Sequence, residues 1–407
     1  MSDLKRLDEA LRSYDRALAL KPDYVEALTN RGVVLADLKR SDEALQSYDR
    51  ALALKPDDVE ALYNRGTTLN GLQRHDEALE YYDRALALKP EHAQAHWNRA
   101  LCSLQLGDFA SGWAEYEWRW RRNRPENAKR EFRQPLWLGI EPLAGKTILL
   151  HAEQGLGDTL QFCRYVRPVA ALGARVVLEV QPPLLPLLRR LEGASELRAT
   201  GAALPAFDYH CPLLSLPLAF KTELASVPSD IPYLRSDAAR VEKWRERLGP
   251  KMQPRVGIAW SGATGHKNDH NRSLSLAQVL PLLIEQVQWV SLQKELREAD
   301  AQLMSAQTPM RSYGEELKDF ADTAALVELM DVVVAVDTSV AHLAGALGKP
   351  VWILLPFNSD WRWLLDRDDS LWYPTARLFR QPAIGDWASV IDTVRNELAR
   401  ELGALRE

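Results

Sequence analysis

Three stretches of the 407-residue chain bring together residue types that handle protons and phosphate. Gly155-Leu-Gly-Asp158-Thr159 follows a short apolar run at 147–152. A carboxylate just inside a helix start and facing a cleft is suited to accept a proton. Its plainer role is to cap that helix. Asp337-Thr-Ser-Val-Ala-His342 follows the apolar run 332–336. Thr338, Ser339 and Val340 then fall at a helix N-terminus, whose unbonded N–H groups and dipole suit a phosphate. Asp337, at the strand end, is placed to bond sugar hydroxyls, and His342 sits one turn into the helix. His266-Lys-Asn-Asp-His-Asn-Arg272-Ser273 follows a strand ending at Trp260. It offers Lys267 and Arg272 to phosphate oxygens; the alternative is a solvated basic loop.

Other chemistries fit less well. Gly155 and Gly157 begin like G-x-G-x-x-G, and Glu179 stands near the usual ribose-binding spacing. The third glycine is Leu160, however, and Asp158 puts negative charge where a pyrophosphate would lie. A dehydrogenase is therefore disfavoured. His266 and His270 have no helix to hold them and no third ligand, so no metal centre is expected. Asp366-Arg-Asp368-Asp369 reads as ion pairs or a solvated loop.

The elements that position these stretches alternate between strand and helix. Residues 147–152 read as a buried parallel strand, followed by the glycine turn and a helical stretch to about 172. A second strand is expected at 175–180, with shorter ones near 197 and at 208–211. A charged helix at 239–248 links to a second alternation. Its strands are expected at 255–260, 288–292, around 310–313, at 332–336 and at 351–355. Its helices are expected at 276–285, 323–330 and 340–347. Two such arrays imply two doubly wound domains with a cleft between them, where ligands bind at the carboxyl ends of strands.

The first third of the chain is repetitive. Ser13-Tyr-Asp-Arg-Ala-Leu-Ala-Leu-Lys-Pro22 recurs at 47–56 and, with Tyr leading, at 81–90. The period of 34 resembles the tetratricopeptide repeat. Small residues recur at Gly32, Gly66 and Ala100, and large ones at Tyr14, Tyr48, Tyr82 and Tyr116. Residues 1–24 supply one second helix, so its partner is expected to be missing or lost to shortening. The phase fails at Arg119 and Arg124, as capping repeats often do. Asn30, Asn64 and Asn98 share one position on the first helix of each unit. In protein O-linked GlcNAc transferases such asparagines hold an extended peptide. An amide suits that task because it both donates and accepts; plain solvation is the alternative.

Composition sets the outer limits. The formal charge of −5 argues against a general nucleic-acid binder. No apolar run approaches the ~18 residues needed to span a bilayer. The start is charged, unlike a signal peptide. Cys102, Cys163 and Cys211 are scattered, so inert thiols in a reducing cytoplasm are expected. Trp, at 13, outnumbers both Tyr and Phe. The group from Trp113 to Trp137 is expected either to pack the last repeat against the first doubly wound half or to cap the array. The group from Trp352 to Trp372 either borders the cleft or fills a core.

The two glycine–aspartate and Asp-Thr motifs together are similar to those of the ADP-heptose:lipopolysaccharide heptosyltransferase family. The second motif here reads Asp337-Thr-Ser-Val-Ala-His-Leu-Ala-Gly-Ala-Leu-Gly-Lys-Pro350. The resemblance runs from Lys146 to the C-terminus. It implies a GT-B fold, an inverting sugar transfer from a nucleotide-sugar, and no bound metal or other cofactor. It makes Asp158 the general base and assigns Asp337, Thr338 and Ser339 to the donor. Ser339 stands where the family usually has Gly. Arg272, or else Lys267, takes the place of its phosphate-binding lysine. Gln293 and Lys294, after the next strand, are placed to reach the nucleotide. The expected architecture is thus α + α/β: a repeat array (1–124), a connector (125–145), an acceptor-side Rossmann-like domain (146–250) and a donor-binding one with a C-terminal helix (251–407). The expected protein is a cytoplasmic glycosyltransferase acting on a protein acceptor presented by the repeats. The alternatives are an enzyme of cell-surface glycan assembly and a non-catalytic scaffold that binds a nucleotide-sugar.

Overall fold

The structure is a computed structural model describing residues 2–122, 130–265, 268–305 and 308–404. The chain divides into two units. The first holds residues 1–129 together with 360–365; the second holds 130–359 and 366–407.

The first unit is a helical array of α1 (Ser2–Leu20), α2 (Val25–Asp37), α3 (Ser41–Leu54), α4 (Val59–Gly71), α5 (His75–Leu88), α6 (Ala93–Gln105) and α7 (Phe109–Tyr116). Its repeat has visible physical causes. A Cβ on Gly32 would stand 2.4 Å from the Tyr48 ring, and one on Gly66 2.9 Å from the Tyr82 ring. The small residue of one helix is thus the seat of the next helix's tyrosine. Arg31, Arg65 and Arg99 each reach back to Asp15, Asp49 and Asp83 at 2.7, 2.8 and 2.7 Å. These carboxylates are exposed, so the pairs mark register more than they stabilise.

The turns within the helix pairs share one geometry. Lys39, Gln73 and Gly107 all have positive φ, at 63°, 60° and 86°. The next N–H bonds back into the helix: Arg40 to Leu35 O at 2.8 Å, Arg74 to Leu69 O at 3.0 Å and Asp108 to Ser103 O at 2.9 Å. This satisfies carbonyls that the helix end leaves orphaned.

The array ends in a 3₁₀ turn, Glu117–Arg121, where Arg119 is fully buried and pairs with Glu117 at 2.6 Å. The repeat pattern breaks there because a buried guanidinium replaces the small residue. Trp113 packs edge-on against Phe109 and against Trp361, the latter at 5.1 Å between ring centroids. Trp361 belongs to the short segment 360–365 that joins this unit. Trp137 belongs to the other unit, where it meets Phe220. The first tryptophan group is therefore split between two cores.

The second unit contains two parallel sheets. The first half runs β1 (Thr147–His151), α8 (Leu156–Phe162), α9 (Val166–Ala171), β2 (Arg175–Val180), α10 (Leu185–Leu188), β3 (Ala194–Ala199), β4 (Tyr209–Pro212) and α11 (Leu216–Ala219). Helix α12 (Ala238–Leu248) leads to the second half. That half runs β5 (Arg255–Ala259), α13 (Asp269–Arg272), α14 (Leu276–Val279), β6 (Gln288–Ser291), α15 (Glu298–Ser305), β7 (Arg311–Ser312) and α16 (Phe320–Glu328). It continues through β8 (Val332–Val336), α17 (Ser339–Ala346), β9 (Val351–Leu355), β10 (Ala376–Arg380) and α18 (Trp387–Ala404). The strand orders are β3-β2-β1-β4 and β10-β9-β8-β5-β6-β7. Each half therefore starts mid-sheet and winds outward in both directions, which creates a switch point beside β1 and another between β5 and β8. Every residue of β5, β8 and β9 is buried, as a sheet covered on both faces requires.

The structure sharpens several expectations and shortens one helix. The described part of the connector pairs with β4: Trp137 N–H bonds His210 O at 2.9 Å and His210 N–H bonds Pro135 O at 3.1 Å, which adds a bridge there. The helix expected at 276–285 stops at Val279, since Pro281 has no N–H to extend it. Arg124 lies outside the described residues. Trp352 and Trp387 fill the core of the second half. The cysteines are buried thiols, and burial pushes those of Cys102 and Cys163 up to about 12.

The shared turn geometry makes a paired prediction. Lys39→Gly should raise the denaturant stability of the array by about 0.5–1 kcal/mol, because only glycine takes positive φ without strain. Gly107→Ala should lower it by a similar amount. Chemical denaturation followed by circular dichroism checks both signs.

Candidate functional site

The two motif loops emerge at the two switch points. After β1 the chain turns through Gln154, at φ 57°, into α8. Asp158 is half-buried, and its Oδ2 accepts the Gly155 N–H at 2.8 Å. The capping role expected of Asp158 is therefore real, and it fixes the carboxylate at the helix start. Gln181 braces the turn from β2's end, accepting from Thr159 Oγ1 at 2.9 Å and donating to Gln154 O at 3.3 Å.

After β8 the chain enters α17 through Asp337 and Thr338. Thr338 is extended at φ −142° and is only 9% exposed. Its hydroxyl is buried and makes no hydrogen bond. Arg272, at the end of α13 after β5, reaches across to the neighbouring strand. Its Nη1 donates to Asp337 O at 2.8 Å, while its Nε is buried with no partner. No carboxylate pairs with Arg272 among the described residues. The Arg272 loop is itself held: Ser273 Oγ donates to Asp269 at 2.6 Å, and Arg297 pairs with the same carboxylate at 2.5 Å. A close approach at Gly262, where a Cβ would meet Arg272 Nη2 at 2.5 Å, lets the guanidinium lie flat.

The two loops meet. A Cβ on Gly157 would stand 2.8 Å from His342 Cδ2 and 3.5 Å from Ser339 Cα. His342 is buried, with Nδ1 at 2.9 Å from the Tyr373 hydroxyl and Nε2 at 3.8 Å from Asp337 Oδ1. Gly155, Gly157, Asp158, Asp337, Thr338, Ser339, Val340, His342 and Arg272 therefore gather around two adjoining helix starts.

Other expected site residues fall elsewhere. Lys267 and His266 lie outside the described residues. Gln293 is 8% exposed and braces the loop after β5, donating to Ser261 Oγ at 2.9 Å and accepting the Ser261 N–H at 3.3 Å. Its amide is thus engaged by the loop after β5. Lys294 beside it is exposed. Glu179 is fully buried under Arg130, which leaves no route to a ribose. Asp369 is held by Arg367 in a two-pronged pair at 2.6 and 2.7 Å. In the helical unit Asn30 is exposed and Asn64 half-buried. Asn98 departs from them: its Nδ2 donates to Tyr63 OH at 3.2 Å and Thr67 Oγ1 at 3.1 Å. That amide ties α6 to α4.

The sequence reading missed the groups beneath the site. Arg164 is 6% exposed, and its four bonds run to Gln161 O (2.8 Å), Pro228 O (2.7 Å), Trp372 O (2.8 Å) and Tyr233 OH (2.9 Å). Its guanidinium also lies 4.7 Å from the Tyr373 ring. It thus joins the two halves of the unit through carbonyls, phenols and ring faces. Burial holds the Tyr233 phenol well above its usual range. The one available signal was an arginine inside the mainly apolar run 162–166.

Residues 3–59 and 59–92 match two models described as tetratricopeptide repeat. The first helices are tetratricopeptide repeats. FlbA of Caulobacter vibrioides is 26% identical over 322 residues, which is 72% of this chain and 53% of FlbA. The chain spans about half the length of that curated relative. The match is longer than the helical unit and so extends into the α/β unit. Among solved structures, MamA is 26% identical with a TM-score of 0.27, over 28% of this chain and 66% of MamA. YrrB, described as a tetratricopeptide-repeat protein with an unusual peptide-binding site, is 24% identical with a TM-score of 0.27, over 30% of this chain and 63% of its own. No helix among the described residues is long and apolar enough to cross a membrane.

Arg164→Met should destabilise the α/β unit by about 3 kcal/mol, because it strands several buried acceptors at once. Arg164→Lys should recover only part of that loss, since an ammonium lacks the planar fork. Thermal and urea unfolding of the full chain measure both.

Proposed function

We propose that the α/β unit is a GT-B glycosyltransferase that moves a sugar from a nucleotide-sugar to an acceptor hydroxyl with inversion. The observation that carries this reading is a pair of orphaned groups at one helix start. The buried Thr338 hydroxyl and the buried Arg272 Nε both lack partners beside the α17 N-terminus. Orphaned buried polar groups cost about 1–3 kcal/mol each, so their persistence at a switch point favours a ligand that completes them. A guanidinium and free helix N–H groups together suit a diphosphate. The Asp337 motif adds the family resemblance noted above.

The chemistry divides between the two loops. Asp158, fixed by the Gly155 N–H, takes the proton from the acceptor hydroxyl. The acceptor oxygen forms a bond to the anomeric carbon as the bond to the diphosphate breaks. The departing negative charge falls on Arg272 and on the N–H groups of Ser339 and Val340, aimed there in advance. The tetratricopeptide repeats supply the protein acceptor. With Asn98 engaged inside the array, Asn30 and Asn64 remain to contact a peptide backbone.

Calorimetry of the full chain with ADP, UDP, GDP and CDP tests the donor site. At least one should bind, and Arg272→Ala and Thr338→Val should each weaken it about tenfold, or about 1.4 kcal/mol. Asp158→Asn should leave binding intact and abolish sugar transfer. Absence of binding by all four, or binding indifferent to both donor-side changes, contradicts the reading.

A further inference from the structure

We infer that His342 is a positioning residue through which the α17 helix start sets the place of the Asp158 carboxylate. The inference rests on the reading of that helix start as a phosphate site, and it gives His342 a different task from touching the donor. His342 is 5% exposed and stands between the two loops. On one side its Cδ2 lies against Gly157, the residue that precedes Asp158. On another its Nε2 is 3.8 Å from Asp337 Oδ1. Its Nδ1 bonds the Tyr373 hydroxyl at 2.9 Å, and the Tyr373 ring in turn lies on Gly345, where a Cβ would stand 2.4 Å from it. The Tyr373 hydroxyl therefore holds the imidazole from behind, and the Tyr373 ring also lies beside the Arg164 guanidinium.

The consequence is mechanical. Asp158 is held only three residues from Gly155 by the turn's own N–H, on a helix of seven residues. α17 packs on that short element at Gly157, through the Ser339 backbone and the His342 ring, and the ring makes the nearer approach. The His342 ring is thus a spacer between the two. Any ligand that tightens the α17 start acts on the ring's own helix, one turn away, and so bears on the Asp158 turn.

The test separates the two ring nitrogens. Asn places its amide where Nδ1 stands and so keeps the Tyr373 bond; Gln reaches instead towards the Nε2 position. Amide hydrogen exchange of the full chain, read in the peptide covering 153–158, reports the turn without needing activity. With no ligand added, His342→Ala should speed exchange there at least tenfold. His342→Asn should restore most of the protection, and His342→Gln should not. Exchange in 153–158 unchanged by His342→Ala, or rescue by Gln rather than Asn, overturns the inference. The same peptide is then read with ADP, UDP, GDP or CDP added. Protection of 153–158 on binding in the wild type, lost in His342→Ala even at saturating diphosphate, is the expected coupling. Binding that leaves 153–158 unprotected overturns it. If none of the four diphosphates binds, the reading of the helix start fails, and the ligand-free result still decides whether His342 spaces the turn.

Discussion

The α/β unit depends on one close approach: the Gly157 backbone against the His342 ring. With a Cβ contact of 2.8 Å in prospect, no larger residue fits without pushing the two loops apart. That approach brings the end of one sheet's first strand to the end of the other sheet's switch-point strand. It sets the helix start that carries Asp158 beside the one that carries Ser339 and Val340. The proposed division of proton acceptor and anion cradle between two loops rests on that contact. The glycine is required by contact, since its φ is unremarkable.

Behind that contact lies an arrangement of buried polar groups. A buried guanidinium without a carboxylate is costly unless its hydrogen bonds are met. Arg164 meets them with three carbonyls and a phenol drawn from both halves of the unit. Such a group tolerates few geometries, because moving any of its partners strands it. It therefore trades stability in other arrangements for definition in this one. The array reaches definition by another route, repeating one small-residue seat and one left-handed turn along its length.

Much of this was legible from residue order. The five-residue runs Val332–Val336 and Val351–Leu355 read as strands because a sheet covered on both faces needs unbroken apolar sequence. The 34-residue period was visible because the same tyrosine seat recurs. The β10 strand escaped notice because Arg377 and Arg380 interrupt it; both reach out to charged or polar neighbours. Gln293 and Asn98 both bond neighbours inside the protein that residue order does not reveal. A polar side chain after a strand or on a groove looks available in sequence, yet each is consumed by a neighbour distant along the chain. Arg164, Tyr233 and Tyr373 carried almost no local signal, since their meaning lies in being brought together.

A crystal structure of the full chain with a bound nucleoside diphosphate tests the central claim most directly. The account predicts diphosphate oxygens within hydrogen-bond reach of the Ser339 N–H, the Thr338 hydroxyl and Arg272, with the Asp158 carboxylate across the same opening. A diphosphate seated at the opposite strand ends, among Arg245, Lys251 and Lys349, would contradict it.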